Sequence, residues 1–212
     1  MPSKAKFLHD EPAIGASLNY LLRYDPVFKT LKTRDDLWRW QKNAGRFSDL
    51  TEMVISQQIS VKAADAIFAK LKLALDAPVT PANFLKLPEK KLREAGLSFQ
   101  KIDYITGLAT AITNRKLHLA RLPGMPDEAV IEAITALKGF GIWSAHMYLI
   151  FSLARSDVFP IGDLGVQNGA KLYLNAEEKM TPKILDQWGE QFKGKRTAAA
   201  LLLWKLKDSP KT

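Results

Sequence analysis

The chain has 212 residues, 47% of them hydrophobic and 25% charged, with a formal net charge of +9. That length allows one large domain or two small ones sharing a core, and the composition argues against disorder. With no cysteine and only three scattered histidines (His9, His118, His146), disulfides, thiolate metal sites, iron–sulfur clusters, cysteine nucleophiles and a side-chain metal cluster all drop out, while the basic excess points to a polyanion, nucleic acid before an anionic membrane.

The first residues, "MPSKAKFLHD", hold no hydrophobic signal core, and no apolar run reaches transmembrane length, which predicts a soluble intracellular protein. "SVKAADAIFAKLKLAL" places Val61, Ala64, Phe68, Leu71 and Leu75 at helical spacing, with Ser60 positioned to cap. Ser98 is placed to cap a second helix carrying Ile102, Ile105, Ala109 and Ile112. "MPDEAVIEAITALKG" has Pro126 in a first-turn position, acids beside it and Gly139 just past its end.

"LKGFGIWSA" closes that helix and opens another within a few residues. Gly139 and Gly141 permit positive φ and close approach of a partner, and the next helix start offers unpaired amides suited to a phosphate. The same glycines also serve a plain turn between two helices. An apolar run around Met147–Leu153 suits a buried helix, and "DVFPIGD" is the one β-like stretch, a poor one because of Pro160. Asp163 then stands before "LGVQNGAKLYL", where an aspartate caps well. Thr181 and Pro182 open a further helix in "TPKILDQWGEQF", and "RTAAALLLWKL" closes the chain. The pattern predicts an all-α protein of about ten short helices, with no low-complexity linker and no repeat of fixed period.

Three segments carry a family resemblance. L-x-G-x-G-x-x-[ST]-A, here Leu137 to Ala145, resembles the hairpin of the helix-hairpin-helix motif, which binds the DNA backbone without reading sequence. "FPIGDLGVQ" is similar to the segment bearing the catalytic aspartate of helix-hairpin-helix DNA glycosylases. "VISQQISVKAADAI" resembles the Q-Q-[ILV]-S stretch of the alkylpurine branch, the DNA-3-methyladenine glycosylase II family. The resemblance implies two lobes with DNA in the cleft between them: residues 45–155, barrel-like and ending in the hairpin, and residues 1–44 plus 156–212, carrying the aspartate. It also implies the compact form without the N-terminal β-domain of some relatives.

The implied chemistry is base excision. A base inside a duplex must rotate into a pocket, and breaking its glycosidic bond builds positive charge on the sugar that a carboxylate stabilises. Asp163 takes that role by resemblance, with helix capping as its plainer use. The apolar run before it is expected to form a dry wall that strengthens its field. Trp143 stands where strand-cleaving relatives carry a lysine, which implies release of the base by water alone. It would stack on a cationic base, or else simply pack the core.

Trp204 and Met147 are expected to line the base pocket, Gln57 and Gln58 to wedge into the gap left by the base, and Gly139, Gly141 and Ser144 to meet the backbone. Ser144 is also a possible helix cap, His146 reads as an ordinary helix residue, and Lys193, Lys195, Arg196 and Lys205 either track DNA or face solvent. The implied partner is double-stranded DNA with alkylated bases, bound by a monomer that needs no metal, no cofactor and no membrane. The alternative is a non-catalytic helix-hairpin-helix protein that binds damaged or abasic DNA, which would need neither Asp163 nor a pocket tryptophan.

Overall fold

The computed structural model describes residues 6–31 and 40–208. These form eleven α-helices, and their only β-structure is an isolated bridge between Phe7 and Gln41. "DVFPIGD" is irregular chain, as a proline-bearing segment without a strand partner must be. No helix among the described residues is long and apolar enough to cross a membrane. The chain forms two compact units, Asn43–Tyr148 and Met1–Lys42 with Leu149–Thr212.

The Asn43–Tyr148 unit holds α2 (Phe47–Ser56), α3 (Val61–Leu75), α4 (Pro81–Lys86), α5 (Glu89–Glu94), α6 (Phe99–Thr113), α7 (Asp127–Thr135) and α8 (Ile142–Met147). Local chemistry sets most of the starts. Ser60, Thr80 and Ser98 each accept a backbone N–H three residues on, at 3.3, 3.3 and 3.2 Å. Pro126 sits one residue outside the first turn of α7, in the capping position. Leu50, Val54, Ile55, Phe84, Ile105, Leu108, Val130 and Ile134 are buried and make the core. The apolar stripe expected on α3 is only partly used. Ala64 and Leu71 are buried, but Val61 is 76% exposed, while α3 packs chiefly on α2 and α5.

The turn between α7 and α8 uses its two glycines differently. Gly139 has φ +88° and lies on Tyr104 of α6, so that a Cβ there would overlap the ring. Gly141 is the extended N-cap of α8 at φ −97°, and a Cβ on it meets nothing within 4 Å. Only Gly139 needs the left-handed region that favours glycine. Lys138 pairs with Asp103 at 2.8 Å, so α6 seats the hairpin from below.

The second unit holds α1 (Pro12–Tyr24), α9 (Leu164–Tyr173), α10 (Pro182–Gly189) and α11 (Arg196–Asp208). Thr197–Leu203 of α11 are all buried, as a helix apolar all round must be. α11 approaches α9 closely, since a Cβ on Gly169 would lie 2.6 Å from the Leu203 carbonyl carbon. Phe28, Tyr173, Trp188 and Phe192 pack around one another at tilted or edge-to-face angles, with Tyr173–Trp188 centroids 5.1 Å apart, and the Tyr173 hydroxyl donates to Asp25 Oδ2 at 2.7 Å.

Asp157 ties the chain ahead of α9 to the start of α11. It accepts from Gly194 N at 2.7 Å and from Arg196 Nε and Nη2 at 2.9 and 2.8 Å. Hydrogen bonding from the Arg196 side chain holds this carboxyl below its ordinary range. A carboxyl depressed on folding stabilises fully above its unfolded pKa, about 3.9, and loses that contribution as pH falls through the lower folded value. Asp157→Asn should therefore cost on the order of 2 kcal/mol near neutrality, with the gap to wild type closing below about pH 4. Urea melts of both proteins at several pH values check this, and a gap constant down to pH 2 would contradict it.

The hairpin yields a second expectation. Gly139→Ala should lose about 2–4 kcal/mol through backbone strain and ring overlap, while Gly141→Ala should change stability by less than about 0.5 kcal/mol. Equal midpoints in urea for the two variants would refute the different roles assigned to these glycines.

Candidate active site

Asp163 is placed by a tight turn. Its backbone N–H donates to the Pro160 carbonyl at 2.9 Å, and buried Gln167 donates from Nε2 to the Ile161 carbonyl at 3.0 Å, pinning the turn to the first coils of α9. Asp163 is the N-cap of α9, with Oδ1 accepting from Val166 N at 2.9 Å. The same oxygen accepts from the Trp204 indole Nε1 at 2.7 Å. The Trp204 ring lies over Phe151, with centroids 5.8 Å apart and planes 20° apart. The backbone amide and the indole are both neutral, so these two groups orient the half-buried carboxylate without themselves bringing a charge to it. Such a group can stabilise positive charge developing beside it.

The apolar run before Asp163 is mostly interior. Tyr148, Leu149 and Ile150 are buried as α8 passes into a π-helical turn at Tyr148–Ser152, and Phe151 is the member that reaches Trp204. The expected dry wall is thus largely core. Burial raises the Tyr148 phenol to about 12, with the Asp49 charge adding to the effect, and its hydroxyl donates to the Gly45 carbonyl at 3.2 Å.

Several expected site residues stand elsewhere than the sequence suggested. Ser144 does not cap α8. It is the third residue of that helix and is 2% exposed, so its hydroxyl faces neither cap nor solvent. Met147 is buried among the core residues of its unit, while Trp143 is half-buried. His146 is half-buried too, and burial lowers its pKa. Gln57 is not a projecting wedge: as the C-cap of α2 it donates from Nε2 to the Gly139 carbonyl at 3.0 Å. Its neighbour Gln58 is exposed, with φ +59°, and stands beside Ile59, which is 38% exposed. The α2–α3 turn therefore offers Gln58 outward and spends Gln57 on the hairpin.

The basic cluster also divides. Arg196 is held by Asp157 and by Glu190 at 3.1 Å, and the Lys195 ammonium lies 4.9 Å from the Tyr20 ring centroid. Both serve the packing of their own unit, while Lys193 is exposed. Three supporting residues escaped the sequence reading. Lys101 donates to the Ile55 carbonyl at 2.6 Å near the end of α2, and burial lowers its pKa. Tyr104 underlies Gly139. Gly165 leaves room for Trp204, whose Cδ1 would lie 2.6 Å from a Cβ at that position. A glycine two residues past a helix cap was the one available signal, since glycine is a poor helix former and marks close approach.

A family model described as HhH-GPD superfamily base excision DNA repair protein matches residues 51–193. The chain is 35% identical over 163 residues to DNA-3-methyladenine glycosylase 1 of Schizosaccharomyces pombe, spanning 75% of this chain and 71% of that protein. It is similar to the crystal structure of a DNA-3-methyladenine glycosidase from Bacillus halodurans, with a TM-score of 0.75 at 30% identity over 94% of this chain and 91% of that one. It is also similar to the Schizosaccharomyces pombe 3-methyladenine DNA glycosylase in complex with abasic DNA, with a TM-score of 0.76 at 30% identity over 90% of this chain and 95% of that one. The chain belongs to the HhH-GPD superfamily of base excision DNA repair proteins.

Proposed function

We propose that this protein is a monofunctional DNA glycosylase that rotates alkylated purines of the 3-methyladenine and 7-methylguanine type out of duplex DNA and hydrolyses their N-glycosidic bond. The observation that carries the reading is Asp163, a half-buried carboxylate with one oxygen held by two neutral donors. As the bond to the base stretches, the sugar becomes an oxocarbenium ion, and a fixed negative charge lowers the energy of that state. Water then adds to the anomeric carbon and gives up a proton, leaving a free purine and an abasic sugar. One carboxylate is enough because an N3- or N7-alkylated purine is already cationic and departs without prior protonation. Similar proteins from Schizosaccharomyces pombe and Bacillus halodurans carry 3-methyladenine glycosylase or glycosidase names, and the former was captured with abasic DNA, the product class expected here.

The remaining residues take supporting parts in this reading. The backbone from Gly139 to Ser144 meets phosphates, a contact blind to sequence and weakened by salt. Gln58 enters the gap left by the base and hydrogen-bonds the orphaned partner. Trp143 offers its π face to the cationic lesion. The hairpin gives the phosphate contact, and the Asp163 turn gives the carboxylate. The protein acts as a monomer without metal or cofactor. Ile142–Met147 reads IWSAHM and supplies no amine where strand-cleaving relatives carry a lysine, so the abasic strand is left intact.

Asp163→Asn keeps the shape of the cap but removes its charge, so single-turnover excision of 7-methylguanine should fall at least about 100-fold while duplex binding persists. Wild-type rates in that variant would remove Asp163 from the chemistry. Borohydride should trap no protein–DNA adduct with the wild type, and strands should break only after alkali. A strong trapped adduct would make the enzyme bifunctional.

The two glutamines should separate by assay. Gln57→Ala frees the hairpin carbonyl and should weaken binding to damaged and intact duplexes alike, by about five-fold for one lost hydrogen bond. Gln58→Ala should leave binding to intact duplex unchanged and slow excision. Binding titrations on both duplexes check this, and the reverse assignment of effects would contradict it.

A further inference from the structure

Trp204 was expected to line a base pocket, but its polar edge points at the carboxylate. We infer that Trp204 is a positioning residue that aims Asp163 through its indole N–H, and that Gly165 and Gly169 exist to let it reach that oxygen. The inference rests on the proposed glycosylase chemistry of Asp163 and adds to it a residue that acts through the carboxylate.

Three observations meet here. Trp204 Nε1 donates to Asp163 Oδ1 at 2.7 Å, the same oxygen that Val166 N reaches at 2.9 Å. Two convergent donors fix the rotation of the carboxylate, which one backbone cap alone would leave looser. Next, α9 is cleared for the indole. A Cβ on Gly165 would lie 2.6 Å from Trp204 Cδ1, 2.8 Å from Nε1 and 3.0 Å from Asp163 Oδ1. One turn on, a Cβ on Gly169 would strike Leu203, the residue before Trp204, at 2.6 Å from its carbonyl carbon. Glycine costs helix stability at both positions, and what it permits is the approach of α11 that brings the indole over the cap. Finally, the ring lies on Phe151 at 5.8 Å with planes 20° apart, so the N–H cannot swing away while that stack holds.

The choice of donor fits the chemistry. A lysine or arginine on Oδ1 would set the direction but neutralise the charge that the cationic sugar needs. An indole N–H directs the carboxylate and leaves its charge intact. Such alignment acts on the rate of the chemical step and is indifferent to which base departs, unlike a stacking wall, which acts through the base.

The test replaces Trp204 with 3-benzothienylalanine, which keeps the ring shape and puts sulfur in place of the N–H. Single-turnover rates and half-saturating enzyme concentrations are measured on duplexes holding 7-methylguanine or neutral hypoxanthine, beside wild type, Asp163→Asn and Gly165→Ala. The inference predicts a fall of about 10- to 100-fold in the rate constant, by the same factor for both lesions, with half-saturation within about two-fold of wild type. Gly165→Ala, which pushes the indole off the cap, should show the same pattern. A benzothienyl variant working at the wild-type rate while Asp163→Asn is inactive overturns the role of Trp204 alone. A changed ratio between the two lesions, with loss confined to half-saturation, overturns it in favour of stacking. A wild type that excises neither base overturns the glycosylase reading and this inference together.

Discussion

The structure around the site depends on one crowded oxygen. Asp163 Oδ1 takes a backbone N–H from the first turn of α9 and an indole N–H from α11. To satisfy both, α11 must ride close over α9, which calls for glycine at 165 and 169 and for a helix apolar enough to be buried through Thr197–Leu203. Arg196 then anchors the start of α11 to Asp157, six residues ahead of the carboxylate. A single electrostatic demand, a carboxylate held in one orientation, thus reaches back into helix packing and into the salt bridge that frames the loop.

The other unit shows the same economy around a different contact. Tyr104 lies under Gly139, Lys138 pairs with Asp103, and Gln57 holds the Gly139 carbonyl. α6 and the end of α2 therefore set the hairpin before any DNA arrives. A surface that needs no reordering keeps the ordering entropy out of the binding cost. That would matter for the proposed phosphate contacts, which carry no sequence information and must work on any duplex.

How much of this was legible in the sequence follows the range of each interaction. The caps at Ser60, Ser98 and Thr181 were readable because a side chain meets a backbone group three residues away. The aspartate cap before α9 was readable for the same reason. The Trp204 bond spans 41 residues and the Gln57 bond 82, and nothing in local spacing announces either. Ser144 and Val61 failed in opposite directions. A polar residue near a helix start was buried and an apolar one at a helix start was exposed, since helical period tells which residues share a face but not which neighbour covers it. Gly139 was singled out for the right geometry, yet what approaches it within the chain is a tyrosine ring.

The proposed activity is removal of alkylated purines from DNA without strand cleavage. The most direct measurement is chromatography of bases released from duplex DNA treated with a methylating agent, followed over time with the wild-type protein, with strand integrity read from the same samples. Free methylated purines should accumulate with enzyme, from strands that stay whole until alkali is added. No release above the protein-free control, or release matched by immediate strand breaks, would contradict it.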